Sequence, residues 1–229
     1  MTKTAILIDG GFFLKRYYAV YGRSPMEDGA DKVTKTISNI CSEFQKKFEF
    51  DLLKIFYYDC FPYINKEKTP ISGKVIDFSQ TSLAQFKMKL YDELKKTRKM
   101  VLRLGELKTG YGWLIKPMLT KGLLSGANDF KSLTDDDFYF DLQQKGVDMK
   151  IGLDISTFAY KKQVDQIILV AGDADFVPAA KVARREGIDF ILDPMWQHID
   201  DQLFEHIDGL YSVCPNPNQK NKRVSRNNQ

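Results

Sequence analysis

The sequence predicts an α/β protein, a three-layer α/β/α sandwich with a mainly parallel central sheet. Short apolar segments alternate with longer amphipathic ones, and two of the short segments are almost wholly apolar. Strands that are apolar throughout are typical of a parallel sheet covered by helices on both faces. The chain of 229 residues also has enough apolar content to bury the core of one large domain.

Five short segments are rich in Ile, Leu, Val and Phe and are bounded by charge or glycine, which predicts strands. The first and the fourth of them are the almost wholly apolar ones. The predicted strands span residues 4–9, 52–59, 100–108, 166–172 and 188–193.

Three segments between these strands carry apolar residues at helical spacing, so we predict helices over 31–48, 81–98 and 176–187. The second begins with Thr and Ser and collects basic residues in its last turn, and the third ends at Gly187. Strands that alternate with helices indicate βαβ units.

Residues 109–146 interrupt this alternation. The segment is rich in glycine and aromatic residues and is too long for an ordinary connection, so we expect an elaborated loop or a short helical insertion beside the functional site. Its acidic run, 135–137, suggests metal binding at first sight. Consecutive carboxylates after Ser-Leu-Thr are more typical of a helix cap or of a solvent-facing surface, so we leave them out of the site.

The charge of the chain predicts a domain over 1–214 and a basic flexible tail over 215–229. The net charge is +4, and the tail contains four basic residues and no acidic one, so the rest of the chain is neutral. Such a tail either contacts nucleic acid or only aids solubility. Its basic residues are Lys220, Lys222, Arg223 and Arg226.

Several classes of protein do not fit this sequence. No stretch approaches the roughly 20 apolar residues of a membrane span, and the first apolar run is too short for a signal peptide, so we expect a soluble, cytoplasmic protein. The three cysteines lack metal-binding spacing, which favours reduced thiols. The motifs of serine hydrolases, P-loop proteins and dinucleotide-binding proteins are absent from the sequence.

Carboxylates from three separate segments are predicted to meet at one edge of the sheet. Asp9 ends the first strand, Asp173 and Asp175 follow the fourth, and Asp148 opens a helix. Loops at the carboxyl ends of parallel strands bind ligands, and a divalent cation would offset the repulsion between these charges. Oxygen ligands without His or Cys favour Mg²⁺ or Mn²⁺. Taken singly, Asp9 has the alternative role of a turn former and Asp148 that of a helix N-cap.

Asp154 lies six residues beyond Asp148. On a helix this spacing corresponds to about 9 Å of rise and about 120° of rotation, so the two carboxylates cannot easily share one ion. We predict that Asp154 contacts a second ion or a metal-bound water. The alternative is an ion pair with Lys150, four residues back on the same helix face.

Four stretches of the chain resemble, in order and spacing, the NYN domain of the LabA-like family, a part of the wider group of PIN-like nucleases. The resemblance covers roughly residues 4–193, apart from the insertion, and the combination of KGVD with GDADF is its most specific feature. The stretches are ILIDGGFF, LRLGELK, QKGVDMKIGLDI and LVAGDADFVPAAKVARREG.

The resemblance implies a PIN-like α/β/α sandwich and metal-dependent ribonuclease activity. By matching motif, the acidic positions of the family fall on Asp9, Asp148, Asp173 and Asp175, with Asp154 as a further acidic position in the helix. The chain departs from the family at Phe12, where many NYN domains have Asn.

We therefore predict an endoribonuclease in which water activated by Mg²⁺ or Mn²⁺ hydrolyses the phosphodiester bonds of single-stranded RNA. Lys145, Lys15 and Arg16 are candidates for binding phosphate groups, and solvated surface charge is their alternative role. Two other functions stay open: a catalytically idle PIN-like RNA-binding module, which Phe12 favours, and a metal-dependent phosphatase of a small substrate. The oligomeric state, including a homodimer, is left open.

Overall fold

The structure is a computed structural model that describes residues 1–218. The four basic residues predicted to act from the tail therefore lie outside the described residues. No helix within 1–218 is long and apolar enough to cross a membrane. The strands are β1 (Lys3–Asp9), β2 (Asp51–Cys60), β3 (Lys66–Lys68), β4 (Val75–Asp77), β5 (Met100–Ile115), β6 (Phe138–Lys145), β7 (Gln166–Val170), β8 (Asp189–Asp193) and β9 (Gly209–Leu210). The α-helices are α1 (Gly10–Tyr21), α2 (Pro25–Phe48), α3 (Ser82–Lys96), α4 (Pro117–Leu124), α5 (Val147–Tyr160), α6 (Val177–Arg185) and α7 (Asp201–Phe204).

Seven strands form one sheet in the order β6-β5-β2-β1-β7-β8-β9. Strands β1, β2, β5, β7, β8 and β9 pair in parallel, and only β6 pairs antiparallel, with β5. The residues of β7 are buried throughout, as expected for a strand covered on both faces. The predicted mainly parallel sheet is confirmed.

Helices cover both faces of this sheet, and each face has its own apolar core. On one face α1, α2 and α3 bury residues such as Phe13, Ile37 and Leu90. On the other face α5 and α6 bury residues such as Ile151 and Ala180. These two cores confirm the predicted three-layer sandwich.

Helix α2 begins earlier than the apolar spacing predicts. Ser24 caps it, because its hydroxyl accepts a hydrogen bond from Glu27 N at 3.2 Å while the Glu27 carboxylate accepts one from Ser24 N at 2.7 Å. Gly29 then interrupts the helical backbone with a φ of 78°, a value that glycine adopts readily. The predicted helix over 31–48 is therefore the part of α2 that follows this kink.

The segment 109–146 forms mainly strands and not the elaborated loop or short helical insertion that its composition suggested. Strand β5 continues to Ile115, and β6 returns antiparallel beside it and widens the sheet. The register shifts between Thr109 and Gly112, which marks a bulge where the glycines fall. Cross-strand pairing has overridden the low strand propensity of glycine, and the only α-helical part is α4.

The acidic run of this segment lies in a single helical turn, Asp135–Asp137, that Thr134 caps. The Asp135 carboxylate accepts hydrogen bonds from Thr69 Oγ1 at 2.9 Å, from Ile71 N at 3.0 Å and from Ser72. It thus fastens the loop between β3 and β4. This structural role of Asp135 agrees with leaving the run out of the metal site.

Candidate active site

Asp9 lies at the carboxyl edge of the sheet, because it ends β1 and α1 begins at the next residue. Its carboxylate caps that helix by accepting a hydrogen bond from Phe12 N at 3.1 Å. Gly10 permits the ring of Tyr57 to lie close to the backbone here, since a Cβ on Gly10 would be 2.5 Å from that ring. Asp9 is thus the N-cap of a helix and not the turn former that we considered, and its carboxyl group lies at the sheet edge.

The environment of Asp9 disfavours its charged form. The pKa of Asp9 is raised to about 6, first by burial and then by the negative charges of Asp148 and Asp59, while the hydrogen bond from Phe12 N opposes the rise. Like charges therefore act on one another at this edge, which is the electrostatic condition that we predicted for a cation site.

Asp173 follows β7 and lies exposed at the same edge. Its carboxylate caps a short turn by accepting a hydrogen bond from Asp175 N at 3.0 Å, and the exposed Asp175 follows in that turn. Just before them, Gly172 lets the ring of Phe12 lie close to the backbone, because a Cβ there would be 2.5 Å from Phe12 Cε2. The strand end thus carries two carboxylates, and an aromatic ring lies against the glycine that precedes them.

Asp148 is the second residue of α5. The N-cap of this helix is Gly146, with a φ of 80°, so the alternative role of Asp148 as an N-cap is wrong. Burial, then the charges of Asp173 and Asp175, raise the pKa of Asp148. No described residue donates a hydrogen bond to its carboxylate, so the structure gives Asp148 no ordinary capping function.

Asp154 has a different role from the one predicted. Arg103 donates to both of its oxygens, from Nε at 2.8 Å and from Nη2 at 2.6 Å, and the Tyr58 hydroxyl donates to it at 2.8 Å. The alternative partner, Lys150, instead donates to Leu104 O at 2.9 Å. Both oxygens of Asp154 thus already accept hydrogen bonds, which favours a structural ion pair over the predicted contact with a second ion or a metal-bound water.

A cleft of about 370 Å³ opens between α1 and the turns that follow β7 and β8. Two of the predicted phosphate-binding residues, Lys15 and Arg16, line it together with Asp9 and Asp173, whereas Lys145 ends β6 outside this lining. A second cavity of about 400 Å³ lies against the opposite ends of β2 and β5 and has no acidic residue in its lining. The cleft at the acidic edge is lined by Asp9, Phe12, Lys15, Arg16, Gly172, Asp173, Ala174 and Gln197.

Sequence reasoning missed Asp59, which lies next to Asp9 at the end of β2. It is fully buried, and its Oδ1 accepts hydrogen bonds from Lys87 Nζ at 2.6 Å and from Cys60 N at 2.7 Å. No described residue bonds its buried Oδ2. The signal was present in the sequence, because Asp59 ends a predicted strand in the same way as Asp9 does.

Two further residues at this edge were also missed. Asp193 ends β8, is buried, and accepts hydrogen bonds from Met195 N and from Ser212 Oγ, both at 2.8 Å. Burial above all raises the pKa of Asp193 to about 6. Gln197 reaches the cleft through the turn that follows, and nothing in the local sequence pattern indicates this position.

The carboxylate oxygens at the acidic edge suit a hard divalent cation, but they do not surround one completely. Within residues 1–218, no three His, Cys, Asp or Glu side chains lie close enough to hold one ion together. Mg²⁺ needs no such cage, since it usually keeps several waters and is held by one or two carboxylates together with substrate phosphates. The carboxylates are thus chemically suited to Mg²⁺ or Mn²⁺, provided that water or substrate completes the coordination.

Comparison with known proteins supports the resemblance to NYN domains over part of the chain. Residues 127–198 match the family model of the NYN domain, and this range contains Asp148, Asp173 and Asp175 but not Asp9. No curated protein matches the chain. A protein of unknown function from Vibrio parahaemolyticus has a similar structure, with 14% sequence identity, a TM-score of 0.49 and coverage of 93% of each chain. The family match supports an NYN domain over the residues that it covers.

Proposed function

We propose that the protein is a metal-dependent endoribonuclease of the LabA-like NYN type, related to the PIN-like nucleases, that hydrolyses phosphodiester bonds in single-stranded RNA. One observation carries the proposal. Carboxylates from three separate segments lie near enough at the carboxyl edge of a parallel sheet to raise the pKa of Asp9 and of Asp148. Two cationic side chains line the cleft that Asp9 and Asp173 also line. The match of residues 127–198 to the NYN domain supports it independently.

Asp9, Asp148, Asp173 and Asp175 are the residues that would hold Mg²⁺ or Mn²⁺ in this proposal. Asp148 has no hydrogen-bond donor among the described residues, and the exposed Asp175 likewise has none, so both are free to act as ligands. A bound divalent cation would supply charge neutralisation for the phosphate and an acidified water molecule as nucleophile.

Three basic residues bind and orient the substrate in this proposal. Lys15 is exposed beside Asp9 and is free to pair with a phosphate group. Arg16 is half-buried, and its Nη2 donates to Met195 O at 2.8 Å, so its guanidinium is held in place beside the cleft. Lys145 is exposed three residues before Asp148 and would contact a phosphate further along the strand.

A catalytically idle RNA-binding protein is the second candidate. Two observations favour it: Phe12 replaces the Asn of many NYN domains, and no three potential ligands within residues 1–218 are gathered for one ion. Such a protein would keep the basic side chains of the cleft and bind RNA without cleaving it.

Incubation with end-labelled single-stranded RNA separates these functions. We expect cleavage with Mn²⁺ or Mg²⁺, none in EDTA, and a loss of orders of magnitude in Asp173→Asn. Asp129→Asn is the matched control for Asp173→Asn. Asp129 is also exposed and also caps a short turn, because its carboxylate accepts a hydrogen bond from Lys131 N at 3.0 Å. Binding without cleavage in the wild type would favour the idle module. Undiminished cleavage in EDTA, or equal rates in both variants, would contradict the metal mechanism.

A further inference from the structure

The turn that follows β8 has an unusual backbone. Met195 and Trp196 are consecutive residues with φ values of 47° and 63°, and neither is glycine. Residues with a side chain enter this region infrequently and stay there only when the surrounding structure holds them. Hydrogen bonds from several neighbouring residues hold this pair in place. They thereby fix the position of the next residue, Gln197.

Buried polar groups fasten the first residue of the pair. Asp193 Oδ1 accepts a hydrogen bond from Met195 N at 2.8 Å, and Arg16 Nη2 donates one to Met195 O at 2.8 Å. The Met195 side chain itself is fully buried. Both backbone polar groups of Met195 are thus bonded to residues that lie beside the cleft or under it.

Contacts to the C-terminal segment fasten the second residue. Trp196 donates from its backbone N to Ser212 Oγ at 3.0 Å and from its ring Nε1 to Cys214 O at 2.8 Å. Gln197 N then closes the turn by donating to Pro194 O at 2.8 Å. The backbone of Gln197 is therefore fixed, while its side chain stays exposed.

The Gln197 side chain lies beside the aromatic ring of the cleft. A Cβ on Gly172 would be 3.1 Å from Gln197 Nε2 and 2.5 Å from Phe12 Cε2, so both groups lie over the same strand end, next to Asp173. No described residue bonds the Gln197 amide. The site thus presents a half-buried aromatic ring together with a free donor and a free acceptor.

We propose that Phe12 and Gln197 form a base-recognition subsite, in which an unpaired nucleobase of single-stranded RNA stacks on the ring and hydrogen-bonds to the amide. This inference rests on the proposed function. Single-stranded RNA is read in this way, by stacking on aromatic side chains and by hydrogen bonds to base edges. An amide can make two such bonds to one base, which discriminates between bases in a way that a phosphate contact cannot.

The test uses short oligouridylates that carry one central A, C, G or U, with affinity measured by fluorescence anisotropy in EDTA and relative cleavage rates measured by competition in Mn²⁺. We expect the affinity and the cleavage rate of the wild type to differ among the four RNAs by about fivefold or more, which gives a ranking of the central bases. Gln197→Ala should remove the ranking, and the isosteric Gln197→Glu should alter it, because a donor is replaced by an acceptor. Phe12→Leu should lower affinity for all four RNAs by about tenfold.

Gln202→Ala is the matched control, since Gln202 is an exposed glutamine outside the cleft lining, and it should leave the ranking intact. Melting temperatures show whether each variant is folded. If Gln197→Ala does not fold, Gln197→Glu still tests the inference. If the wild type cleaves RNA and Gln197→Ala keeps the same ranking, this inference is overturned but the proposed function is not. Equal weakening of all four RNAs by Gln197→Ala would also overturn it. A wild type that neither binds nor cleaves any of them would overturn the proposed function as well.

Discussion

Asp9 and Asp173 each combine two roles in one carboxyl group, since each is a charge at the sheet edge and also a cap, Asp9 of helix α1 and Asp173 of a short turn. One oxygen of each accepts a backbone hydrogen bond, from Phe12 N and from Asp175 N. Asparagine can accept the same bond and is an equally good cap. A change of either aspartate to asparagine therefore removes the charge while keeping the cap, which makes these variants more informative than alanine.

The first prediction concerns how the stability of Asp9→Asn depends on pH in the absence of metal. The pKa of Asp9 is about 6 in the folded protein against 3.8 for an unperturbed Asp, so between these values the folded state binds more protons than the unfolded state. The wild type should therefore lose stability relative to Asp9→Asn as pH rises from about 4 to about 6, by roughly 3 kcal/mol at most. Urea unfolding in EDTA across this range measures the difference.

At a pH of about 7, Asp9→Asn should then equal or exceed the wild type in stability, and at a pH of about 4 this advantage should be gone. Asp129→Asn is the control, because it also removes the charge of a capping aspartate, but Asp129 is exposed whereas Asp9 is half-buried. A stability difference between the wild type and Asp9→Asn that stays constant across the range would show that Asp9 titrates normally.

The second prediction concerns the buried ion pair of Asp59 and Lys87. Their side chains are 1% and 15% exposed, and Nζ lies 2.6 Å from Oδ1. Lys87→Met should destabilise the protein by about 3 kcal/mol or more, because it leaves an uncompensated charge beside Asp9. The double variant Lys87→Met, Asp59→Asn should recover much of that stability. Free energies of unfolding from urea titrations measure both effects.

Lys96→Met is the matched control for that measurement. Lys96 also lies 2.6 Å from its carboxylate partner, Glu93, but the side chains are 69% and 32% exposed. Its replacement should cost less than about 1 kcal/mol. Equal destabilisation by Lys87→Met and Lys96→Met would mean that burial of Asp59 has little energetic consequence.

At the scale of the elements, strand positions were predictable wherever burial fixes the composition. Strands β1 and β7 lie in the middle of the sheet between two helical layers, so their sequences are nearly all apolar and easy to identify. The second half of β5 and all of β6 lie at the sheet edge. Their glycines and polar residues indicated a loop, because only pairing between distant residues makes them strands.

The candidate site was predictable to the extent that one rule covers it. Carboxylates at the ends of parallel strands come together, and this rule applies to Asp9 and Asp173 and would have added Asp59. The rule could not reveal that Asp154 is already paired. Its partner is Arg103 on β5, which is far away in the sequence. Nor could the rule find Gln197, whose position depends on the strained turn before it.

The third prediction concerns the turn that joins β7 to the acidic edge. Gly172→Ala should destabilise the protein by about 1 to 3 kcal/mol, because the added Cβ would lie 2.5 Å from Phe12 Cε2. Gly152→Ala is the control, since nothing lies within 4 Å of a Cβ at this position inside α5. It should stabilise the protein by about 1 kcal/mol. Thermal unfolding measures both, and stabilisation by Gly172→Ala would show that the ring does not lie against this glycine.

At the scale of the whole molecule, charge is distributed unevenly along the chain. The four basic residues of the predicted tail lie outside the described residues, and they account for the net charge of +4. Inside the described part, the cleft that carries the carboxylates also carries Lys15 and Arg16. RNA binding would therefore have two electrostatic components, one at the cleft and one in the tail.

The fourth prediction separates these components by deletion of residues 219–229, which removes all four basic residues and keeps the Cys214 carbonyl that Trp196 binds. Affinity for single-stranded RNA should fall, and its salt dependence should become shallower by about 0.7 for each phosphate group that the tail neutralises. The melting temperature should stay the same. Titrations at several salt concentrations measure the slope, and an unchanged slope would show that the tail does not bind RNA.

The central claim is that the carboxylates at the sheet edge act together as a cation site, and the change in melting temperature on addition of Mn²⁺ tests it most directly. The ion binds the folded state, so saturating Mn²⁺ should raise the melting temperature of the wild type and of Asp129→Asn by roughly 5 °C or more. Asp9→Asn and Asp173→Asn should show little or no rise, although both should be at least as stable as the wild type in EDTA at a pH of about 7. An equal rise in all four proteins would mean that these aspartates do not bind the ion.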